Sequence, residues 1–191
     1  AVNTLGSDAV ASVTAASKIS MFIVCPFDSM GATMATYGGQ NAGGYKLDRL
    51  HKGLGSCIIL GAVYSVIGLL IIAAFGPHLL KLFVSGSETG ILADAQHFLL
   101  INGLFYFPLA LVNIVRFMIQ GMGFGFFSIK AGVLEMAART LVGAVLVPIF
   151  GYNAACFASP LAWIFADCFL IPAYFVVWNR MKRHKEAYRQ V

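Results

Sequence analysis

The stretch CIILGAVYSVIGLLIIAAFGPHLLKLF, residues 57–83, decides the fold class, because it carries no Asp, Glu, Lys or Arg before Lys81. A helix needs about 20 mainly apolar residues to cross a bilayer, and this stretch is long enough. The rest of the chain agrees with it. Of the 191 residues, 59% are apolar and 11% are charged, against about 25% charged residues in soluble domains. We predict an all-α integral membrane protein.

Four further stretches are similar in length and apolar character. The predicted spans are residues 10–37, 57–83, 98–118, 129–150 and 154–178. Helices are favoured over barrel strands, since such strands alternate polar and apolar residues over about 10 positions. Residues 1–191 are therefore predicted to form one transmembrane unit of five helices, which ends in a basic tail at 179–191.

Basic residues are distributed unevenly over the predicted connectors. The connector 38–53, the connector 121–130 together with neighbouring Arg116, and the tail 179–191 hold ten of the thirteen Lys and Arg residues. The opposite side holds only Lys81. Because cytoplasmic loops are enriched in Lys and Arg, we expect the tail in the cytoplasm and the first residues outside. An odd number of helices is then expected upstream, which makes the chain part of a longer protein.

Polar residues of the third span share one face of the predicted helix. At about 100° per residue they fall within an arc of about 80°; they are Asn102, Tyr106, Asn113, Arg116 and Gln120. Such a face must meet protein or water, because lipid cannot satisfy its hydrogen bonds. We interpret Asn102, Tyr106, Asn113 and Gln120 as lining a substrate cavity. Hydrogen bonding between helices is the alternative.

Ionisable residues inside predicted spans are costly and therefore indicate function. They are Lys18, Asp28, Glu135, Arg139 and Asp167. Glu135 and Arg139 lie four positions apart with the acid first, which predicts an ion pair within one helix. Asp28 lies two residues after Pro26, and a proline frees a backbone carbonyl. That arrangement fits an ion site in a broken helix, or plain helix packing.

Other classes of chemistry find no support in the sequence. No pattern of nucleophile, base and acid indicates an enzyme. The four cysteines lack Cys-x-x-Cys or Cys/His spacing, so we expect buried free thiols and no metal site. The net charge of +5 is explained by cytoplasmic connectors and predicts no nucleic-acid partner.

Several motifs together resemble one transporter family. They are VNTLGSDAVASVTAASKI (2–19), GGQNAGGYKLDRLHKG (38–53), RFMIQGMG (116–123), LEMAARTLVG (134–143) and PIFGYNAACFASPLAW (148–163). Their order and spacing resemble the multidrug and toxic compound extrusion (MATE) family over almost the whole chain. The resemblance implies twelve helices in two lobes of six. This chain would supply helices eight to twelve of the second lobe.

The resemblance also implies function, location and partners. The family exports drugs and small organic cations by proton or sodium antiport, here across a plasma membrane, such as a bacterial inner membrane. The partners would be the lipid bilayer and a first lobe outside this chain. No cofactor is expected beyond the coupling ion. Some branches carry a cation-binding carboxylate in helix ten, but the third span has no Asp or Glu. The coupling site is therefore expected in the first lobe.

Two other functions remain open at this point. A lipid-linked oligosaccharide flippase of related fold would also show polar stripes, with more cationic residues facing its cavity than Arg116 and Arg139. A membrane scaffold without transport activity would need neither a stripe nor charges inside its spans.

We expect the tail after Trp178 and the residues around Lys46 to Lys52 to be cytoplasmic, because of the charge asymmetry. Glu88→Cys and Arg183→Cys variants, with the native thiols removed, can be labelled in intact cells with an impermeant reagent. Only position 88 should react. Labelling of position 183 without labelling of position 88 would show that the topology is opposite to the predicted one.

Overall fold

The computed structural model describes residues 5–188, without the side chains of residues 184, 185, 187 and 188. Seven α-helices follow one another: α1 (Ser7–Gly43), α2 (Leu47–Leu80), α3 (Thr89–Leu104), α4 (Tyr106–Gly121), α5 (Gly125–Leu141), α6 (Val147–Phe150) and α7 (Tyr152–Tyr188). A π-helical turn, Val142–Leu146, joins α5 to α6. The last three residues of the predicted basic tail, 189–191, lie outside the described residues. The rest of that tail continues α7 as helix.

The helices are long enough to cross a membrane several times. Four segments have the required length and apolar character: Ser7–Gly43, Leu47–Leu80, Gly125–Phe150 and Tyr152–Arg183. The bent pair α3 and α4 makes a fifth if it is one span. The protein is therefore an all-α, multi-pass membrane protein, as the composition predicts.

The connector predicted at 38–53 is much shorter in the structure. Helix α1 continues to Gly43 and α2 begins at Leu47, so only residues 44–46 lie outside a helix. Gly38 and Gly39 are helical because they serve packing. A Cβ atom on Gly38 would lie 3.0 Å from the Met118 carbonyl oxygen of α4. The glycines of this motif thus bring two helices together, whereas glycine clusters usually mark a loop.

The third predicted span, 98–118, is broken. Helix α3 ends at Leu104, α4 begins at Tyr106, and the two are bent by 52°. Pro108 explains the position of the break, because it has no N–H to bond the Leu104 carbonyl and its ring clashes with that turn. The prediction of one continuous helix is therefore wrong. Asn102 lies on α3 and the other residues of the predicted stripe lie on α4, so their angles cannot be measured around one helix axis.

The segment from α5 to α7 contains a π-helical turn just before a proline. Pro148 cannot donate to the Ala144 carbonyl, and the preceding turn 142–146 is π-helical. A bulge of this kind absorbs one residue without ending the helix. Gly151 then adopts a positive φ of 62°, a conformation that glycine reaches without strain, and α7 starts immediately after it.

Helix α4 lies at the centre of the lobe, where it contacts α1, α2, α5 and α7. One continuous apolar core joins these helices, and its largest fully buried side chains include Phe27, Leu50, Ile72 and Tyr106. The closest helix contact is between α1 and α4. A Cβ atom on Gly121 would collide with the backbone oxygen of Ala35, and a Cβ atom on Gly31 would lie 2.7 Å from the Phe117 ring.

The outer faces of most helices are apolar. On α2 the exposed side chains include Ile59, Leu60, Val63, Val66, Ile67 and Leu70, which follow one another at helical spacing. Exposed apolar rows of this length are typical of a surface in contact with lipid. The cysteines are free, as expected, but only Cys57 and Cys156 are buried. Cys25 and Cys168 are exposed, which corrects the expectation that all four would be buried.

We expect Gly121→Ala to destabilise the lobe by about 1–3 kcal/mol, the usual cost of overpacking, because the new methyl group would meet the α1 backbone. Thermal unfolding in detergent measures the effect. The matched control is Gly55→Ala on α2, where a Cβ atom would meet nothing within 4 Å. Equal stability of the two variants would disprove the tight contact.

Candidate functional site

Two of the four predicted cavity residues are buried inside the lobe. Asn102 retains 4% of its surface and Tyr106 retains 1%. The Asn102 side-chain amide donates to the Phe98 carbonyl oxygen at 2.9 Å and, across to α7, to the Cys156 carbonyl oxygen at 3.4 Å. For Asn102 the structure thus shows the alternative interpretation, hydrogen bonding between helices. Neither residue faces an open cavity in this conformation, which corrects the predicted stripe.

The other two predicted residues lie on a more open part of α4. Asn113 is half-buried and Gln120 is exposed. The Gln120 side-chain oxygen lies 3.3 Å from the Ser128 hydroxyl, which donates to it. Only the second half of the predicted stripe is therefore accessible from outside the lobe.

Arg116 forms the ion pair that the sequence assigned to Arg139. Its Nη2 atom donates to Oε1 of Glu135 at 2.5 Å, and the side chains are 19% and 12% exposed. Arg139 is exposed one turn further along α5, where it lines a groove of about 650 Å³ together with Glu135 and Thr140. The prediction of a Glu135–Arg139 pair is wrong, because Glu135 turns inward to α4 and Arg139 does not.

Asp167 completes a group of three charged side chains on three helices. It is buried on α7, with 7% of its surface exposed, and it interacts electrostatically with Glu135 of α5 and Arg116 of α4. Its Oδ1 atom and the Nε atom of Arg116 are both buried and have no hydrogen-bond partner among the described residues. We call Arg116, Glu135 and Asp167 the charge cluster.

The polar surface that the sequence analysis did not identify lies on α1. Beyond the first turn, its exposed polar residues fall within an arc of about 140° at about 100° per residue; they are Thr14, Lys18, Asp28, Ser29, Thr33, Thr36 and Gln40. We call this set the polar face of α1. Two large apolar side chains, Met21 and Phe22, are exposed within the same arc, and they hide the pattern in the sequence.

Hydroxyl groups of this face are already bonded to their own helix. Ser29 donates to the Cys25 carbonyl oxygen at 3.1 Å, and Thr33 donates to the Ser29 carbonyl oxygen at 2.8 Å. Since each hydroxyl donates its only proton to a carbonyl oxygen of the same helix, it can offer only acceptor lone pairs to other groups. Asp28 adds an exposed carboxylate between these turns. The middle of the face is therefore rich in acceptors, which favours cations over anions.

Lys18 lies towards the start of α1 and has a partner of its own. Its Nζ atom lies 5.5 Å from the centre of the Phe83 ring, within the range of a cation–π interaction. Three of the five predicted intramembrane charges, Lys18, Asp28 and Arg139, are exposed, and two, Glu135 and Asp167, are buried. In the part of the chain that the structure describes, no three His, Cys, Asp or Glu side chains are placed to hold a metal ion.

Comparisons with known proteins agree with this architecture. The sequence model of the family described as MatE matches residues 1–149. The chain belongs to the MatE family. None of the curated proteins matches the chain. A solved structure, described as the inward-facing conformation of a multidrug resistance MATE family transporter of the MOP superfamily, has the same fold, with a TM-score of 0.75 at 20% identity.

That similarity covers 93% of this MatE chain but 41% of the chain of the solved transporter. The present sequence thus spans less than half the length of the related protein. MatE proteins are transporters, which agrees with the absence of an enzymatic pattern in the sequence. The apolar helices and the family together establish a transporter-like membrane protein.

The position of Arg116 lowers the number of basic residues on the predicted cytoplasmic side of this MatE chain. The sequence places Arg116 beside a cytoplasmic connector, but in the structure it lies more than one turn before the end of α4 and is paired with Glu135. Nine of the thirteen basic residues then remain in the predicted cytoplasmic regions. The asymmetry is reduced by one residue and keeps its direction.

We expect Glu135→Gln and Arg116→Gln each to destabilise the lobe by about 3 kcal/mol, because each leaves a largely buried charge without its partner. The double variant should recover part of that loss, and thermal unfolding in detergent measures all three. Arg139→Gln, an exposed position on the same helix, is the control and should change stability little. A double variant no more stable than the worse single variant would contradict the pairing.

Proposed function

We propose that this chain is the C-terminal lobe, helices eight to twelve, of a MATE exporter that removes small organic cations by ion-coupled antiport. Its extent supports this proposal, since 41% of the solved transporter's chain is the share expected for five helices out of twelve. Transport would proceed by alternating access, in which this lobe rocks against a first lobe around a central cavity. We propose a bacterial plasma membrane as its location, with α7 ending in the cytoplasm.

The observation that carries the proposal is the polar face of α1. Amide, hydroxyl and carboxylate groups are costly to expose to hydrocarbon, so this face requires water or protein beside it. Two large apolar side chains, Met21 and Phe22, are also exposed within its arc, whereas the exposed rows of α2 and α7 are apolar, for example Val66 and Phe165. We infer that the polar face of α1 lines the central cavity opposite the first lobe and that the apolar rows meet lipid.

The chemistry of the face favours a cationic substrate. Asp28 supplies a carboxylate in the middle of α1, and neighbouring Ser29 and Thr33 present acceptor lone pairs. A flippase for lipid-linked oligosaccharides would need positive charge to hold a diphosphate. The only basic residue of this face, Lys18, lies against the Phe83 ring. We therefore favour export of organic cations over lipid flipping.

The remaining predicted cavity residues fit this arrangement in part. Asn113 and Gln120 lie on α4, which packs directly against α1, and they extend the accessible polar surface. Asn102 and Tyr106 would reach the cavity only if the lobe rearranged. We propose Asp28 as the substrate contact of this lobe, and Asn113 and Gln120 as its neighbours in the cavity wall.

We expect Asp28→Asn, in the whole transporter reconstituted into vesicles, to raise the KM for a cationic dye such as ethidium about tenfold, or about 1.4 kcal/mol. Dye fluorescence under an imposed pH gradient, and separately under a sodium gradient, measures transport and identifies the coupling ion. The reason is that Asp28 loses its charge but keeps nearly the same shape.

Asp48→Asn is the matched control, because Asp48 is exposed in the first turn of α2, away from the polar face of α1. It should leave the KM unchanged. An unchanged KM in Asp28→Asn would remove Asp28 from the substrate site. If the dye moves under neither the pH gradient nor the sodium gradient, the proposed function itself is contradicted.

A further inference from the structure

The charge cluster contains one more negative group than positive groups. Arg116 keeps its proton at any physiological pH, and its guanidinium already pairs with Glu135. Asp167 is buried beside this pair, and its Oδ1 atom accepts no hydrogen bond from a described residue. If both carboxylates were ionised, the lobe would hold an uncompensated negative charge inside a spanning segment, which is strongly unfavourable.

The described residues around Asp167 offer no other compensating positive charge. The charged groups that act on it are Glu135 from α5 and Arg116 from α4. On α7 itself, Tyr174 lies two turns away and is 3.3 Å from His51 of α2. From α3, His97 contacts Asn153, and the backbone carbonyl oxygen of Asp94 accepts a hydrogen bond from Tyr152, both in the first turn of α7. No described residue supplies the missing positive charge, so a mobile cation is the remaining source.

A proton fits this position better than a metal cation. A hard cation such as sodium needs several oxygen ligands around it. Here one of the two carboxylates is already bound to a guanidinium, and that guanidinium would repel the ion. A proton needs only one oxygen atom, and the unpartnered Oδ1 of Asp167 supplies it.

We propose that Asp167 is a proton-binding site of this lobe, and that the Arg116–Glu135 pair controls when the proton leaves. This inference rests on the proposed antiport and adds a coupling group that lies in the second lobe, on helices α4, α5 and α7. It differs from the expectation, drawn from the family resemblance, that the coupling site lies in the first lobe.

The proposed step is a simple ionisation. The O–H bond of the Asp167 carboxyl group breaks, the electron pair stays on the carboxylate oxygen, and the proton passes to water. The Nε–H group of Arg116, which has no acceptor among the described residues, is then available to donate to the new carboxylate. Arg116 would share its charge between two acids, which weakens its hold on Glu135.

One member of the charge cluster, Glu135, borders the surface of α5. Glu135 borders the surface groove of about 650 Å³ that also contains Arg139. Water in this groove can reach one member of the charge cluster, while Asp167 stays covered. Movement of α5 relative to α7 during rocking of the lobe would open or close this path, and it would thereby tie proton release to the conformational change.

Infrared difference spectroscopy tests the proposal on the whole transporter in lipid vesicles. A protonated carboxylic acid has a C=O stretch that separates from amide bands and shifts in D2O. We expect a band that disappears as the pH is raised and that is absent in Asp167→Asn. In Glu135→Gln its midpoint should move to lower pH by about 1–3 units, because Arg116 is freed to stabilise the Asp167 carboxylate.

Two variants provide controls. Asp48→Asn, exposed on α2, should keep the band and its midpoint. Asp167→Glu should restore an acid band at a changed frequency, and it decides the question if Asp167→Asn does not fold. A band that persists in Asp167→Asn, a missing band in Asp167→Glu, or an unmoved midpoint in Glu135→Gln would overturn the proposal.

The measurement also separates this inference from the proposed function. The band reports a proton on Asp167 without any substrate or transport. A transporter that shows the band and moves no dye would contradict the exporter and keep the proton site. A transporter that exports dye without the band would contradict the proton site and keep the exporter.

Discussion

The rest of the lobe depends on the close approach of α1 and α4. Glycine occupies the points where these helices come nearest, because a Cβ atom on Gly121 would collide with the Ala35 backbone and one on Gly38 would lie 3.0 Å from the Met118 carbonyl oxygen. Between helices in a bilayer, burial of apolar surface contributes little to association, so close packing of small residues has to supply much of the stability. Helix α4 is thereby fixed at the centre, with α2, α5 and α7 around it.

This central position separates two kinds of polar surface. The face of α4 that meets α5 and α7 carries Arg116 into contact with Glu135 and near Asp167, where all three are largely buried. The polar face of α1 points away from the lobe. The first set is thus largely enclosed by protein, and the second set requires water or another set of helices beside it. The exporter proposed above would use the buried set to hold a proton and the open set to contact its substrate.

Prolines mark two irregular points in the helices. Pro108 accounts for the break between α3 and α4, and Pro148 follows the π-helical turn. In a bilayer each free carbonyl has to be covered by protein or by water. Such irregular turns are therefore tolerated where neighbouring helices enclose them.

The sequence alone determined the class and the family. These follow from the length of apolar runs such as residues 57–83 and from motif order, because a bilayer imposes one length on every helix. The partner of Glu135 followed only from the tertiary structure. Spacing of four residues places Arg139 near Glu135 along α5, but which side of that helix faces α4 is decided by packing. The exposure of Asp28 and the burial of Asn102 were decided in the same way, since a helical pattern shows which residues share a face and not what that face meets.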